Sequence, residues 1–410
     1  MKNMASDPEL AVVIGGFVNA LGLVRALGAM NRRIVVISNR SYDIANYSRY
    51  VHEYRRIDDL ERCPERLLSL LEENAPQWHG GMVFPTNDEA IAALHAYREK
   101  LSSRYRLNIP PPEATPYILE KIPMLNAAEE TGIPLPKCYG LADETGAIES
   151  ALRFPVVVKP VNASEFSLRF DRKLFLIRDK KELEDCTRLL SASGTKGQVF
   201  DLVPGPDSAI YIYCVYLDRK GVPLAECTVQ KLRQTPPFFG ISRVARLTRN
   251  IPLLKEQTLA FLRRIGYQGF AAAEYKRDER DGVFRFLEVN GRSIVYNSLL
   301  RKANFDLTRL AWEEQAGGSV KPVGPVEWPG AWIHLHADLL RSLQNWRKEG
   351  LSLSAYFEPY LGPKTWAVWE AGDNRPFYRQ WNHSLNTALR FPFQRNQRAF
   401  ESICHTSDQP

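Results

Sequence analysis

Phe270-Ala-Ala-Ala-Glu274-Tyr-Lys276-Arg-Asp-Glu-Arg-Asp281-Gly282-Val-Phe-Arg-Phe286-Leu-Glu288-Val-Asn290-Gly-Arg292 reads as two strands, Phe270–Lys276 and Val283–Val289, joined at the turn signal Asp281-Gly282. If they pair as a hairpin, Glu274 and Glu288 fall on nearly opposite positions of neighbouring strands. Facing carboxylates repel across a sheet, and burying them without a partner is costly. A bound cation removes both objections. The two-residue period of a strand puts Glu288 and Asn290 on one face, so Glu274, Glu288 and Asn290 can converge as three oxygen donors. A set without histidine or cysteine favours Mg²⁺ over zinc. The same residues also fit a structural arrangement, with edge-strand carboxylates in salt bridges to Lys276 or Arg292.

Three further segments bring charged or amide side chains to the ends of apolar runs. In Phe154-Pro-Val-Val-Val-Lys159-Pro160, the lysine closes a strand and projects its ammonium beyond the sheet. A strand-end lysine lying along its own apolar neighbours is the alternative. In Phe200-Asp201-Leu-Val203-Pro-Gly-Pro-Asp207, Asp207 is placed to accept hydrogen bonds from a ribose, or simply closes a tight turn. Val229-Gln-Lys231-Leu-Arg233-Gln-Thr-Pro-Pro-Phe-Phe-Gly240 adds two cations suited to an anionic substrate.

Working outward, residues 11–15 read as a buried strand and are followed by a helix to about Met30. Ile34–Ile37 and Met82–Phe84 are further strands, and Asn87-Asp88 caps a helix carrying Ile91, Leu94 and Leu101 at helical spacing. This alternation predicts a parallel-sheet α/β domain over roughly the first 115 residues, ending at Pro110-Pro-Pro112. Gly15-Gly16…Gly22 lacks the G-x-G-x-x-G spacing, and Ser38-Asn39-Arg40 supplies no acidic residue after the second strand. No dinucleotide site is expected there. Downstream, Pro116–Ala128, Lys180–Leu190 and Pro252–Ile265 read as helices. Val156–Lys159, Lys173–Ile177, Ala209–Leu217 and Pro223–Lys231 read as strands, so this region is α+β. Six of the eight tryptophans lie beyond residue 320, which marks a compositional shift there.

A length of 410 residues suggests two or three domains. With 44% hydrophobic and 25% charged residues, the composition excludes a disordered chain. The net charge of +7 suits an anionic substrate and equally an ordinary basic surface. Cysteines 63, 138, 186, 214, 227 and 404 show no metal spacing and read as free thiols of a reducing cytoplasm. No apolar run is long enough for a membrane span, and Ala11–Val24 lacks the basic region of a secretory signal. No G-x-S-x-G or Cys/His pairing offers a covalent nucleophile. His334-x-His336 falls in a stretch read as helical, Ala331–Trp346, where side chains two apart diverge, so no metal role is expected. The tail, with its tryptophans and Arg379, Arg390, Arg395 and Arg398, is expected to pack its aromatics on the core or on a second subunit. A nucleic-acid or membrane surface is the lesser reading.

The order of these segments resembles the ATP-grasp superfamily: a lysine strand, a P-G-x-D turn, an E-x-K strand and an E-x-N-x-R strand, preceded by Lys121 and Gly132-Ile-Pro-Leu-Pro136. The segment 229–240 resembles a branch of carboxylate–amine ligases that includes D-aspartate ligase. The resemblance implies an α/β plus α+β protein, with an N-terminal pre-ATP-grasp (Rossmann-like) domain over 1–115. An ATP-grasp fold of two α+β lobes clamping ATP would follow, the first lobe and its phosphate lid over 116–197, the second with the metal site over 198–320. A tryptophan-rich extension covers 321–410. It further implies that Lys121 and Lys159 contact ATP phosphates, with Lys173 a phosphate or adenine contact. Asp201 stands where relatives often carry glutamate. Backbone near Phe200–Val203 would hold adenine, and Asp207 the ribose. Glu274, Glu288 and Asn290 would hold one or two Mg²⁺ ions, with Mn²⁺ an alternative. Arg292 would stabilise the transferring phosphoryl group or the substrate carboxylate, and Lys231 and Arg233 would grip an anionic substrate. The lid, 161–172, has no glycine; Asn162, Ser164 and Ser167 are its candidate donors. The activity implied is ATP-dependent amide formation between a small carboxylate and an amine, such as an amino acid and a peptide or cell-envelope precursor, in a possible homodimer without nucleic acid. The rival readings are phosphoryl transfer to another acceptor and a silent nucleotide-binding module.

Overall fold

The computed structural model describes residues 9–38, 40, 42–143, 152–161, 170, 174–235, 240–318, 320–323, 326 and 328–390. The chain divides into two compact units, Met1–Leu135 with Pro204–Gln380, and Pro136–Val203 with Trp381–Pro410.

The larger unit begins with strands β1 (Leu10–Ile14), β2 (Arg33–Ser38), β3 (Glu53–Arg56), β4 (Met82–Pro85) and β5 (Arg106–Leu107). They form a parallel sheet in the order β3-β2-β1-β4-β5. Every residue of β1 is buried, as a parallel strand covered on both faces requires. Helix α1 (Val18–Ala29) covers one face, with α2 (Glu65–Trp78) and α3 (Asp88–Ala96) in the same domain. The helix α3 starts as expected, the Asn87 side chain accepting from the Ala90 amide. The sequence reading passes over α2, although Leu67, Leu68, Leu71, Ala75 and Trp78 bury one helical face. The Gly15-Gly16 turn serves packing. A Cβ on Gly16 would lie 2.5 Å from the Asp43 side chain. Asp43 accepts there from Ser38 Oγ at 2.7 Å and from the Arg40 amide at 3.1 Å. A carboxylate beside this turn disfavours a pyrophosphate.

The expected helix Pro116–Ala128 is two helices, α4 (Arg98–Ser102) being followed by α5 (Thr115–Leu119) and α6 (Lys121–Glu130). Glu120 is extended between these last two. The smaller unit contains the antiparallel strands β6 (Cys138–Leu141), β7 (Val156–Pro160), β8 (Phe175–Ile177) and β9 (Gly197–Asp201), ordered β6-β9-β7-β8. Helix α7 (Lys180–Ser193) packs Leu183, Cys186 and Leu190 into the same core as Val156, Val158 and Val199. Asp179 caps it, and Gly194 ends it at a φ of 69°.

The chain then returns to the larger unit with β10 (Ile210–Leu217), β11 (Pro223–Thr235), β12 (Ile241–Thr248), β13 (Gly269–Arg277) and β14 (Phe284–Asn290). Two short tail strands, β15 (Ala331–Ile333) and β16 (Lys364–Trp366), complete a seven-stranded sheet ordered β14-β13-β10-β11-β12-β15-β16. The stretch Ala331–Trp346 is therefore not one helix. Its first three residues pair with β12, and a helix begins only at Leu335. The short apolar run Ala331-Trp-Ile is compatible with either periodicity; pairing with β12 decides it. Trp332 is fully buried in the main core. Among the described residues, no helix is long and apolar enough to cross a membrane, and the five cysteines are free.

The tail is tied to the sheet by a buried carboxylate. Asp338 accepts both forks of Arg233, Nε at 2.9 Å and Nη2 at 2.8 Å, together with Arg243 Nη1 at 3.2 Å and the Tyr360 hydroxyl at 2.6 Å. Burial by itself would lower the Arg233 pKa, but Asp338 outweighs it and raises the guanidinium above its ordinary value. Removing one partner of such a cluster leaves buried charge uncompensated. Asp338→Ala is expected to destabilise the protein by about 3–5 kcal/mol in chemical denaturation. Glu358→Ala, which removes an exposed partner of Arg246, is expected to cost less than about 1 kcal/mol.

Candidate active site

Strands β13 and β14 pair antiparallel with Glu274 directly opposite Glu288 and Ala272 opposite Asn290. The hairpin expected from Phe270–Arg292 is therefore present in the expected register. Alternation carries the same face across the sheet, where Ile212 lies opposite Glu274 and Ile210 opposite Lys276. Val229 lies opposite Ile212 in turn, which brings Lys231 of β11 to this face as well. Lys231 Nζ donates to Glu274 Oε1 at 2.9 Å, both side chains being largely buried. Glu288 is exposed.

The donor set on this face is two carboxylates and one amide oxygen, the chemistry of a hard divalent cation. The carboxylates lie in directly opposed cross-strand positions, and Glu274 already holds one ammonium, that of Lys231, so the residues present fit Mg²⁺. Among the described residues no group of three or more histidine, cysteine, aspartate or glutamate side chains could hold a metal, so Asn290 is needed to complete the set.

Lys276 shares the face and was missed as a site residue, although its two-residue spacing from Glu274 is legible in the sequence. It is only 4% exposed. Burial lowers its pKa, and Asp207, Glu279, Asp278 and Glu274 pull the other way. Asp207 is held by Gln234, whose backbone amide and Nε2 donate to its two carboxylate oxygens at 2.9 and 2.8 Å. Gln234 Oε1 in turn accepts from the Gly240 amide at 3.1 Å. The P-G-x-D turn thus anchors the end of β11.

Arg292 extends from the loop after β14 to Asp88 at the start of α3, with Nε 2.6 Å from Oδ1 and Nη2 3.2 Å from Oδ2. Its pKa is raised; burial opposes this, and Asp88 and Glu288 more than compensate. Arg292 therefore lies within electrostatic reach of Glu288. Lys121 Nζ donates to the Leu287 carbonyl, one residue from Glu288. Arg233 is not brought to these residues; its guanidinium faces Asp338 and stacks over Tyr356, 4.8 Å from the ring centre. Nothing local in the sequence signals that partner, 105 residues away.

In the smaller unit, Lys159 lies over the Phe200 ring at 5.7 Å. Asp201 accepts from the Tyr139 hydroxyl at 2.7 Å, and Val203 is buried. Ser164 and Lys173, with most of the lid, lie outside the described residues. His334 is buried, with Gln380 Nε2 at 2.9 Å from its Nε2. Gln380 Oε1 also lies 3.3 Å from that nitrogen, so the Gln380 side-chain amide already engages it.

No family model matches the chain. It is 23% identical over 334 residues to the D-aspartate ligase of Enterococcus faecium (strain Aus0004), covering 77% of this chain and 78% of that protein. The solved N5-carboxyaminoimidazole synthetase of Staphylococcus aureus matches it with a TM-score of 0.63 at 14% identity, covering 85% of this chain and 88% of the other. The biotin carboxylase of Campylobacter jejuni, solved as a β-γ-ATP complex, matches with a TM-score of 0.60 at 15% identity, covering 79% and 74%. The fold is that of the ATP-grasp proteins, and the resemblance to the branch that includes D-aspartate ligase is borne out. By name these relatives are a ligase, a synthetase and a carboxylase.

Burial pushes the His334 pKa down to about 4, with Gln380 partly opposing the shift. The unfolded chain then takes up this proton at a higher pH than the folded one. Stability from this group is complete above about pH 6.5 and falls as the pH drops towards 4. Denaturation midpoints measured across that window are expected to decline with acid in the wild type. The decline should be shallower in His334→Gln.

Proposed function

We propose that this chain is an ATP-dependent carboxylate–amine ligase. The observation that carries the reading is the shared face of β13 and β14, where Glu274, Glu288 and Asn290 come together beside Lys231. Two carboxylates and an amide oxygen on one face make an oxygen-donor set of the kind a Mg²⁺–nucleotide site uses. The fold common to nucleotide-bound neighbours supports the same reading.

In this reading, one carboxylate oxygen of the acid substrate attacks the γ-phosphorus of ATP, the bond to the β–γ bridging oxygen breaks, and ADP leaves. The product is an acyl phosphate. A free carboxylate would have to expel oxide; the acyl phosphate expels phosphate instead. The amine attacks the carbonyl carbon, loses a proton, and phosphate departs. Glu274, Glu288 and Asn290 would hold Mg²⁺, which neutralises charge on the transferring phosphoryl group. Lys231 is poised to exchange its contact with Glu274 for a phosphate oxygen, and Lys276 and Arg292 add positive charge nearby. Asp88 holds the Arg292 guanidinium in a fixed orientation. Lys121 supports the backbone beside Glu288, Lys159 is assigned to phosphate contact and Asp207 to the ribose. No protein nucleophile takes part. The activity named for the Enterococcus faecium relative makes D-aspartate the first acid to test.

ADP release with Mg–ATP is the test, run over amino acids and small carboxylates with and without amine acceptors. Turnover is expected to require one acid and one amine. It should fall by about 10²-fold or more in Glu288→Gln, while the exposed position of Glu288 leaves the melting temperature nearly unchanged. Turnover that persists in Glu288→Gln, or wild-type protein that does not bind ATP, would overturn the assignment.

A further inference from the structure

Outside the face just described, the larger unit contains a cavity of about 430 Å³, a volume in the range of small-molecule sites. It lies at the other end of the same hairpin. Its walls include Gly269 at the start of β13 and the loop 291–293 after β14, together with the linker 108–112. Gly269 is five residues from Glu274, roughly 17 Å along a strand. On its near side the wall residue Gly291 adjoins Asn290, and Arg292 lines the cavity as well, so the cavity borders the face that carries the paired carboxylates.

Its charge is one-sided. Arg98, Arg106, Arg219 and Arg292 line it against the single carboxylate Glu314. Glu314 is already engaged, Oε2 accepting from the Tyr216 hydroxyl and Oε1 from the Arg219 amide, both at 2.8 Å. Arg98 donates through Nη2 to the Pro110 carbonyl, and its buried Nε has no hydrogen-bond partner. Burial holds the Arg98 guanidinium below its ordinary pKa, with Glu113 offsetting only part of the shift. The Arg219 guanidinium meets a backbone carbonyl, that of Glu314, at 3.3 Å. Among the described residues, neither guanidinium has a carboxylate within ion-pair distance. The half-buried Arg98 guanidinium, left with a carbonyl partner, is under-compensated, while Arg219 is exposed; the donor fork of each matches carboxylate or phosphate oxygens.

We propose that this cavity is a second ligand site, bordering the paired-carboxylate face at Arg292, that takes a small organic or inorganic anion through Arg98 and Arg219. The ligand bears a carboxylate or a phosphate. Its walls include the loop that follows Asn290 and the linker that leaves the N-terminal domain, so occupancy would restrain both. The site goes beyond the ligase reading and does not depend on it.

Calorimetry and thermal shift on the full chain, at constant ionic strength, test it with inorganic phosphate, succinate and AMP, each with and without saturating Mg–ADP. At least one probe is expected to bind saturably and to keep its affinity in the presence of Mg–ADP. Response to phosphate and AMP alone would identify a phosphate ligand, and response to succinate alone a carboxylate. Arg98→Ala and Arg219→Ala should each weaken binding by about 10-fold or more. Arg219 is exposed at the cavity mouth, so its variant tests the site even if Arg98→Ala does not fold. No saturable binding of any probe, unchanged affinity in the variants, or displacement by Mg–ADP would overturn the proposal. Failure of the ligase reading would show separately, as absence of ATP binding with probe binding intact.

Discussion

The register of β13 against β14 is the constraint on which the candidate site depends. Because side chains alternate every residue, a slip of one position would send Glu288 and Asn290 to the opposite face. There they would meet the apolar core that holds Tyr275, Phe286 and Val289. That core makes the slip expensive and holds the carboxylates opposite one another despite their repulsion. Lys231, reaching across from β11, relieves part of it. Packing on one face of the sheet thus enforces a charge arrangement on the other that is unfavourable without a cation.

A second theme is the use of buried carboxylates to fasten the tail. Asp338 gathers Arg233, Arg243 and Tyr360. Asp373 accepts from Arg25 Nε at 2.9 Å, Ser48 Oγ at 2.8 Å and the Arg49 amide at 2.8 Å. Each carboxylate is surrounded by donors, which is the condition under which a buried charge is tolerated. Together with the strands that extend the seven-stranded sheet, these contacts make the tail through Gln380 part of the larger unit. Part of the arginine excess, which a composition reading offers to an anionic substrate, is neutralised internally in this way. The remainder includes Arg98 and Arg219 at the cavity beside the linker 108–112.

Much of the fold follows from short-range pattern. Unbroken apolar runs marked β1 and β2, Asn87 marked the start of α3, and Asp281-Gly282 marked the hairpin turn. From that turn and the two-residue period, the placement of Glu274 opposite Glu288, with Asn290 on the same face, is legible in the sequence. Lys276 was equally legible by its spacing from Glu274.

What the sequence by itself determined was therefore the periodic content: which residues form strands, which face each side chain takes, and which donors can meet across a tight turn. Only the tertiary structure decided the partners of the arginines. Arg292 finds Asp88 across 204 residues and Arg233 finds Asp338 across 105, and no local periodicity encodes a pairing at such separations. Ala331–Ile333 is decided in the same way, since three apolar residues carry too little pattern to choose between helix and strand. The open edge of β12 supplies the hydrogen bonds that make it a strand.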